Sequence, residues 1–297
     1  MTAFRSGFAV ILGRPNVGKS TLLNRLIGQK LAIVSDKPQT TRNRIIGVVH
    51  RPGGQLVLVD TPGMHRPRHK LGEYMVAVAR QAMREVEALL LVVEATSAPG
   101  PGDRYLAREL EAAATPSLLL VNKADLVSAP AAARVAEQYA SLGAFRRTFV
   151  LSALADPDLE PLVDAVLDLC PEGPAYYPPD TVTDQPERFV VGELVREKVM
   201  LLTREEIPHA VAVQIEEWAE RPGGLILIRA TIHVERESQK KIVIGQGGSL
   251  LKQVGQLARQ EIEALLGTRV YLELWVKVSP DWRDRATVLR SLGYRDT

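Results

Sequence analysis

The sequence predicts an α/β domain with a mixed, mostly parallel sheet flanked by helices, followed by a smaller α+β domain. Three observations support this prediction. Short apolar runs alternate with amphipathic stretches up to about residue 170, five prolines fall between residues 171 and 186, and later runs alternate apolar with polar residues. We therefore predict one domain at residues 1–175, a proline-rich linker at 176–186 and a second domain at 187–297.

Six strands and five helices are predicted in the first domain. The strands are residues 8–12, 44–50, 55–60, 88–94, 117–121 and 148–151. The helices are residues 20–27, 71–86, 103–113, 131–141 and 158–169. The connection between the second and third strands is too short for a helical crossover, so these two strands are predicted to form an antiparallel hairpin.

The second domain is predicted to follow the order α-β-β-α-α-β. A helix from about residue 186 to 202 precedes two alternating strands, at 211–215 and 226–234. Apolar residues at helical spacing follow over 250–266, and a third alternating strand covers 270–278. Strands with one apolar face are typical of a small sheet that carries helices on a single side.

The composition is that of a globular protein and excludes several classes of function. The net charge of +2 is too small to predict nucleic-acid binding from bulk charge. The single cysteine, Cys170, has no partner for an internal disulfide and is predicted to be a small buried hydrophobic residue. The longest apolar run is far shorter than the roughly 20 residues that span a bilayer, so we expect a cytoplasmic protein.

Residues 13–20, Gly-Arg-Pro-Asn-Val-Gly-Lys-Ser, match the pattern G-x-x-x-x-G-K-[ST] between a predicted strand and a predicted helix. In such a loop, backbone N–H groups and the helix N-terminus face a phosphate. Lys19 is predicted to reach the β- and γ-phosphates, and the Ser20 hydroxyl to ligate Mg²⁺. The alternative, a glycine turn that binds nothing, is disfavoured by the strand and helix on either side. The predicted contacts are Gly13, Arg14, Pro15, Asn16, Val17, Gly18, Lys19, Ser20 and Thr21.

The Asp-Thr-Pro-Gly segment that ends the third strand predicts a second part of this site. The Asp60 carboxylate is expected to hold a Mg²⁺-bound water, and the Gly63 N–H to meet the γ-phosphate. One threonine of the polar stretch 35–42 is needed to complete the Mg²⁺ shell; we favour Thr41, with Thr40 as the alternative. Order that depends on GTP would make this stretch a switch. The predicted contacts here are Asp60, Thr61, Pro62, Gly63 and Met64, and the predicted metal ligands are Ser20, Thr41 and Asp60.

Residues 122–125, Asn-Lys-Ala-Asp, follow a predicted buried strand and indicate which base is bound. The Asp125 carboxylate can accept hydrogen bonds from N1–H and the exocyclic amine of guanine, whereas adenine offers no matching pair of donors. Asn122 is expected to brace the loop and the Lys123 stem to lie along the ring. After the last strand, a backbone N–H is expected to meet the guanine O6, although its serine alone would be interpreted as a helix cap. The predicted base-site residues are Asn122, Lys123, Ala124, Asp125, Ser152 and Ala153.

Together these segments resemble the sequence motifs of translation-factor-related GTPases. The sequences GRPNVGKS, QTTR and DTPGMH are similar to those of the Era-like family. The motif segments are residues 13–20, 39–43, 60–63, 122–125 and 151–153. The resemblance implies binding of GTP and GDP with Mg²⁺, and hydrolysis of GTP. Many small GTPases orient the attacking water with a glutamine where this chain has Met64, so we expect slow intrinsic hydrolysis.

The resemblance adds K⁺ as a candidate second ion. Related GTPases hold K⁺ with an asparagine of the phosphate loop and an ordered switch loop, and Asn16 matches that asparagine. The alternative is that Asn16 only tolerates a strained loop conformation. The candidate catalytic residues are Lys19, Asn16, Thr41 and Gly63. The other polar side chains nearby, which we expect to be solvated, are Arg14, Arg42 and His65.

Residues 240–249 join two predicted helices through a G-x-x-G loop. In KH domains such a loop clamps the backbone of about four nucleotides, while the bases lie along an adjoining apolar groove. The alternative is a helix C-cap with glycine at the turn, but the basic flank and the element order favour RNA binding by a type II KH domain. The predicted RNA-binding residues are Arg236, Lys240, Lys241, Ile244, Gly245, Gln246, Gly247, Gly248 and Lys252.

The resemblance to Era-like GTPases covers essentially the whole chain and implies its partners. These partners are single-stranded RNA near the 3′ end of small-subunit ribosomal RNA and the 30S subunit during its assembly. The protein itself is expected to be a monomer and to bind no DNA. Peripheral association with the inner face of the membrane also belongs to the family, although no amphipathic helix is decisive for it. Two other functions stay open: a nucleoside kinase, which the guanine motif disfavours, and an RNA-binding scaffold that holds GTP without hydrolysing it.

Overall fold

The structure is a computed structural model that describes residues 3–37, 39–64, 67, 69–84 and 86–294. Its N-terminal part is a six-stranded sheet in the order β2-β3-β1-β4-β5-β6, flanked by helices. The strands are β1 Arg5–Leu12, β2 Ile45–Arg51, β3 Gly54–Asp60, β4 Ala88–Glu94, β5 Ser117–Asn122 and β6 Arg147–Val150. The helices are α1 Lys19–Ile27, α2 Lys70–Ala82, α3 Pro101–Ala113, α4 Ala129–Ala140 and α5 Glu160–Leu167.

This sheet confirms the predicted fold class. β2 runs antiparallel to β3 as the predicted hairpin, and the remaining neighbours pair in parallel. Successive residues of the central strand β1 enter two apolar clusters on opposite faces: Ile11 belongs to one and Leu12 to the other. Because parallel strands deliver their carboxyl ends to one edge of a sheet, the motif segments that follow β1, β3, β5 and β6 meet there.

The C-terminal part is a three-stranded sheet in the order β7-β8-β9. Its elements are α6 Glu187–Leu202, α7 Ile207–Ala210, β7 Ala212–Arg221, β8 Leu225–Val234, α8 Glu237–Ile244, α9 Ser249–Leu266, β9 Val270–Val278 and α10 Ala286–Ser291. Apart from the short helices α7 and α10, which were not predicted, the order is the expected α-β-β-α-α-β. None of the helices within the described ranges is long and apolar enough to cross a membrane.

The segment predicted as a linker packs along the edge strand β2. The Val48 N–H donates to the Val182 carbonyl at 2.8 Å, and the Thr183 hydroxyl donates to the Ile46 carbonyl at 2.6 Å. An uncovered strand edge exposes backbone groups that pair with other chains. The linker therefore closes this side of the sheet, while the exact domain bounds stay a prediction.

Apolar and aromatic side chains join the two parts of the chain. Leu71 and Met75 of α2 share a buried cluster with Ala212, Trp282 and Tyr294 from the C-terminal part. The Trp282 indole N–H donates to the Ala210 carbonyl at 2.9 Å, which satisfies the polar atom of this buried ring. On the other side of the sheet, Val190 of α6 belongs to the core cluster of the first domain. The C-terminal part therefore lies against both α2 and the first core.

Candidate functional site

A cavity of about 400 Å³ lies at the carboxyl-terminal edge of the six-stranded sheet. Its lining includes nine of the predicted residues: Pro15, Asn16, Gly18, Lys19, Ser20, Thr21, Thr41, Gly63 and Lys123. Ile33 and Val34 also line it and were not predicted, because they stand outside every motif. The other predicted nucleotide contacts lie beneath or beside the lining, among them the buried Val17, Asp60 and Thr61.

Gly18 and Asn122 connect the phosphate loop to the base loop. Gly18 has φ 97°, and a Cβ there would lie 2.2 Å from the Asn122 amide nitrogen, so only glycine fits. That nitrogen donates to the Val17 carbonyl at 2.8 Å, and the Asn122 Oδ1 accepts from the Ala153 N–H at 2.8 Å. Asn122 therefore connects the base loop to the phosphate loop and to the segment after β6.

The Lys19 ammonium is buried under the phosphate loop. Its Nζ donates to the Arg14 carbonyl at 2.9 Å and lies 3.3 Å from the Gly13 carbonyl, and the residue is 5% exposed. Burial lowers the pKa of Lys19 to about 8, although the carboxylate of Asp60 acts in the opposite direction. Phosphate oxygens placed in the loop would restore the charge that burial disfavours.

Three side-chain oxygens converge beside the Lys19 ammonium. The Ser20 hydroxyl donates to Asp60 Oδ2 at 2.6 Å, the Thr41 hydroxyl donates to the same oxygen at 3.2 Å, and the two hydroxyls are 2.8 Å apart. The other carboxylate oxygen, Asp60 Oδ1, is buried without a hydrogen-bond partner, and burial raises the pKa of Asp60. Hydroxyl and carboxylate oxygens are the ligands that Mg²⁺ prefers, so this group fits the ion.

Of the two threonines considered for the metal, the structure brings Thr41 to this group. The Thr40 hydroxyl instead donates to the Lys37 carbonyl at 2.6 Å. Asn16 lies across the cavity with φ 67°, and its amide nitrogen donates to the Asp36 carbonyl at 2.6 Å. The polar stretch is therefore in contact with the phosphate loop and with the Ser20 and Asp60 oxygens.

The base loop holds Lys123 and leaves Asp125 exposed. Lys123 has φ 61°, and its Nζ donates to the Asn16 carbonyl at 2.7 Å and pairs with the Glu94 carboxylate. These contacts hold the Lys123 stem beside the phosphate loop. Asp125 lies in the short 3₁₀ turn Ala124–Leu126 that follows, and it is exposed.

The backbone amides expected at the guanine O6 are engaged within the protein. The Ala153 N–H donates to Asn122, and the Ser152 N–H donates to Asp156 Oδ2 at 2.9 Å. A bound base would have to compete with Asp156 or Asn122 for either donor. The contact with O6 therefore stays a prediction.

Several side chains near the cavity have surroundings that differ from those predicted from the sequence. Arg14 was expected to be solvated, but its Nε lies 3.0 Å from the buried Asp103 carboxylate. Arg42 was also expected to be solvated and is 1% exposed, with its guanidinium inside the C-terminal part. Met64 is 2% exposed and packs in the sheet core, although its N–H donates to the Gly13 carbonyl. His65 lies outside the described residues.

The G-x-x-G loop forms a second candidate site. Gly245 caps the C-terminus of α8, and a Cβ there would lie 2.8 Å from the Leu250 backbone nitrogen, so glycine is required. Gly247 and Gly248 have φ 57° and 80°, and a Cβ on either would meet no atom within 4 Å. The loop is therefore a bare backbone surface to which a phosphate can come close.

A groove of about 390 Å³ runs from this loop between α9 and β9. It is lined by Gly248, Leu251, Lys252, Gly255, Gln256, Arg259, Leu272 and Leu274. Two of these residues, Gly248 and Lys252, were predicted from the loop. The others were missed because a helix face and a strand edge form the groove together. Of the predicted basic residues, Arg236, Lys241 and Lys252 are exposed and Lys240 is half-buried.

Known proteins resemble this chain in both of its domains. Residues 8–123 match a family model described as 50S ribosome-binding GTPase, and residues 206–283 match a KH domain model. The chain is 55% identical over 294 residues to GTPase Era of Heliobacterium modesticaldum, covering 99% of this chain and 98% of that protein.

Two solved structures of Era match at full length. One is an Aquifex aeolicus Era variant bound to GDP·AlF₄⁻, and the other is Era in complex with MgGDPNP and nucleotides 1506–1542 of 16S ribosomal RNA. Each has a TM-score of 0.95 and 39% identity, and covers 99% of this chain and 100% of that chain.

Proposed function

This chain belongs to the Era family of GTPases, and from that premise we propose that it binds the 3′ end of small-subunit ribosomal RNA and acts in assembly of that subunit. The observation that carries the proposal is that one chain holds both the group of Ser20, Thr41 and Asp60 oxygens and an open G-x-x-G loop with its groove. The relative solved with MgGDPNP and 16S RNA nucleotides has the same architecture over its full length, which supports the same pair of ligands here.

The chemistry follows from positioning and from neutralising charge. The phosphate-loop amides and Lys19 hold the β- and γ-phosphates, and Gly63 offers its N–H to the γ-phosphate. Ser20 and Thr41 would ligate Mg²⁺ and Asp60 would hold a Mg²⁺-bound water, and the bound ion would neutralise charge that develops on the phosphates. The buried Met64 cannot orient the attacking water. Slow turnover without a partner or ion is the expected consequence.

The experiment that tests the proposal measures GTP hydrolysis and RNA binding together. The probe is an RNA of nucleotides 1506–1542 of 16S ribosomal RNA, with a scrambled RNA of the same composition as control. We expect binding of the first RNA in the GDPNP state and faster GTP hydrolysis in its presence. GTP held without hydrolysis under every RNA and salt condition would instead support the scaffold function. Equal binding of both RNAs would reject the RNA target.

The proposal includes K⁺ as a second ion beside Asn16. The Asn16 amide nitrogen donates to the Asp36 carbonyl at 2.6 Å, so the phosphate loop and the polar stretch are in contact at the residue that the resemblance assigns to K⁺. We expect GTP turnover to be roughly tenfold or more faster in KCl than in NaCl, because a fixed cation stabilises charge on the transferring phosphate. Asn16→Gly removes the side chain, and glycine adopts the observed φ without strain. That variant should lose the difference between the salts, and equal rates for the unmodified chain would remove K⁺ from the account.

The depressed pKa of Lys19 predicts how nucleotide affinity changes with pH. Without nucleotide the pKa is about 8, and bound phosphates raise it. At a pH between these two values the protein must take up a proton when it binds GDP. The affinity for GDP therefore has its highest value below about pH 8 and falls as the pH rises. We expect roughly a tenfold loss of GDP affinity per pH unit above that point. Titrations of GDP binding across this range check the slope, and a flat profile would contradict the lowered pKa.

Three finer parts of the proposal rest on the family resemblance. They are the role in assembling the 30S subunit, action as a cytoplasmic monomer, and peripheral association with the inner face of the membrane. Sedimentation of the purified chain with 30S particles and with vesicles of anionic lipid tests the first and third separately. Sedimentation equilibrium tests the second.

A further inference from the structure

The C-terminal part of the chain holds the polar stretch 35–42 immediately on both sides of Thr41. On one side, the Thr40 carbonyl accepts a hydrogen bond from Arg196 Nη2 of α6. On the other side, Arg42 Nη1 donates to the Val211 carbonyl at 2.6 Å, and Nη2 donates to the His209 carbonyl at 3.2 Å. Thr41 lies between these two contacts, and its hydroxyl is the one that reaches the Ser20 and Asp60 oxygens.

Both arginines are buried. Arg42 is 1% exposed and Arg196 is 0% exposed. Arg196 is balanced by Glu193, whose carboxylate accepts from its Nε at 2.7 Å and its Nη2 at 2.5 Å. The two terminal nitrogens of Arg42 have backbone carbonyls and the Tyr294 hydroxyl as acceptors, and the guanidinium lies 5.6 Å from the centre of the Trp282 ring. Losing acceptors of a buried guanidinium is costly, so each side chain ties its segment to one geometry.

α6 also contacts the residues that precede the polar stretch. Glu197 is buried one position after Arg196, and its Oε1 accepts from the Val34 N–H at 2.9 Å. Its Oε2 accepts from the Lys30 ammonium at 2.6 Å. Positions 193, 196 and 197 share one helix face, so a single face of α6 contacts the loop from Lys30 to Thr40.

We propose that Arg196 and Arg42 are positioning residues for GTP hydrolysis, because they fix the backbone on both sides of Thr41 and hold its hydroxyl at the metal. The C-terminal domain then completes the hydrolytic site of the first domain. This inference rests on the proposed role of Thr41 as a metal ligand. By linkage, a bound γ-phosphate and a docked α6 stabilise each other, so a ligand that moves the C-terminal domain changes the affinity for GTP but not for GDP.

The test compares Arg196→Met with Arg283→Met. Arg283 forms a less deeply buried ion pair with Glu235, at 3.0 and 2.5 Å, and both of these hydrogen bonds stay within the C-terminal domain. We expect Arg196→Met to weaken Mg²⁺-GDPNP binding and to slow GTP turnover by roughly tenfold each, with Mg²⁺-GDP affinity unchanged within about twofold. The GDP result separates positioning from general loss of structure, since the proposed role of Thr41 as a metal ligand applies only when a γ-phosphate is bound. Arg283→Met should change none of the three.

A second variant and a double variant make the result decisive. Arg42→Lys keeps the charge but loses the planar fork, and it should show the same selective loss for GDPNP even if Arg196→Met does not fold. In a Thr41→Ala background, Arg196→Met should add nothing further to the loss. Suppose that Thr41→Ala weakens GDPNP binding, but both arginine variants have the same ratio of GDPNP affinity to GDP affinity as the unmodified chain. The inference is then overturned and the proposed function stands. If Thr41→Ala itself has no effect, the proposed metal role of Thr41 is wrong, and the inference with it.

Discussion

Replacing Asp125 with asparagine is expected to lower the affinity for GTP and GDP by roughly 100- to 1,000-fold. The exposed Asp125 carboxylate offers two acceptors to the two donors on guanine, N1–H and the exocyclic amine. Asparagine replaces one acceptor with an NH₂ group, which faces a donor of the base and leaves both without a partner. Xanthine carries an oxygen where guanine has this amine. The variant should therefore gain affinity for xanthosine nucleotides, and competition binding with GDP and XDP measures both changes.

Asp158→Asn provides the matched control for this prediction. Asp158 is an exposed aspartate near the end of the segment between β6 and α5, and its carboxylate accepts the Glu160 N–H at 2.8 Å, so the same change of charge is made outside residues 122–125. It should leave the preference between GDP and XDP unaltered. An Asp125→Asn protein that still binds GDP as tightly as the unmodified chain would show that another group selects the base. Tight binding of ATP by the unmodified chain would have the same meaning.

The parts of the site that could be predicted from the sequence are those in which neighbouring residues carry the function. The phosphate loop is recognisable because glycine, lysine and serine occur at fixed offsets between a strand and a helix, and the structure brings Lys19 and Ser20 to the cavity. The bracing role of Asn122 follows from the same local logic. Thr41 was favoured over Thr40 without a geometric reason, and the structure supplies one, since only Thr41 reaches Asp60.

What could not be predicted depends on residues far apart in the chain. The side chain of Arg42 is buried because it donates to carbonyls of residues 208, 209 and 211, which nothing near position 42 indicates. The groove beside the G-x-x-G loop is missed for the same reason, because Arg259 and Leu274 come to line one groove only when α9 packs beside β9. Helices α7 and α10 span 4 and 6 residues, too few for helical periodicity to appear.

The RNA site gives the second large expected effect, and Gly247 is the residue to change. Its φ of 57° is left-handed and a Cβ there would meet no atom within 4 Å, so a side chain is accommodated and projects onto the open loop surface. Gly247→Asp places a carboxylate on the loop that we propose binds the RNA phosphates. Like charges at such a contact are costly, and we expect the affinity for the 1506–1542 RNA fragment to fall by roughly 10- to 100-fold. Fluorescence anisotropy of labelled RNA measures the loss, and GTP turnover without RNA should stay unchanged.

Gly247→Asn separates the charge from the backbone requirement. Asparagine and aspartate have nearly the same shape and both tolerate the left-handed conformation, so any strain at this position is common to the two variants. The asparagine variant should bind the RNA within about threefold of the unmodified chain, and raising the salt concentration should narrow the gap between the two variants because it screens the repulsion. Equal loss in both variants would mean that a side chain of any kind blocks the loop. Full binding by Gly247→Asp would place the RNA elsewhere on the molecule, and the basic residues around α8 would then need another explanation.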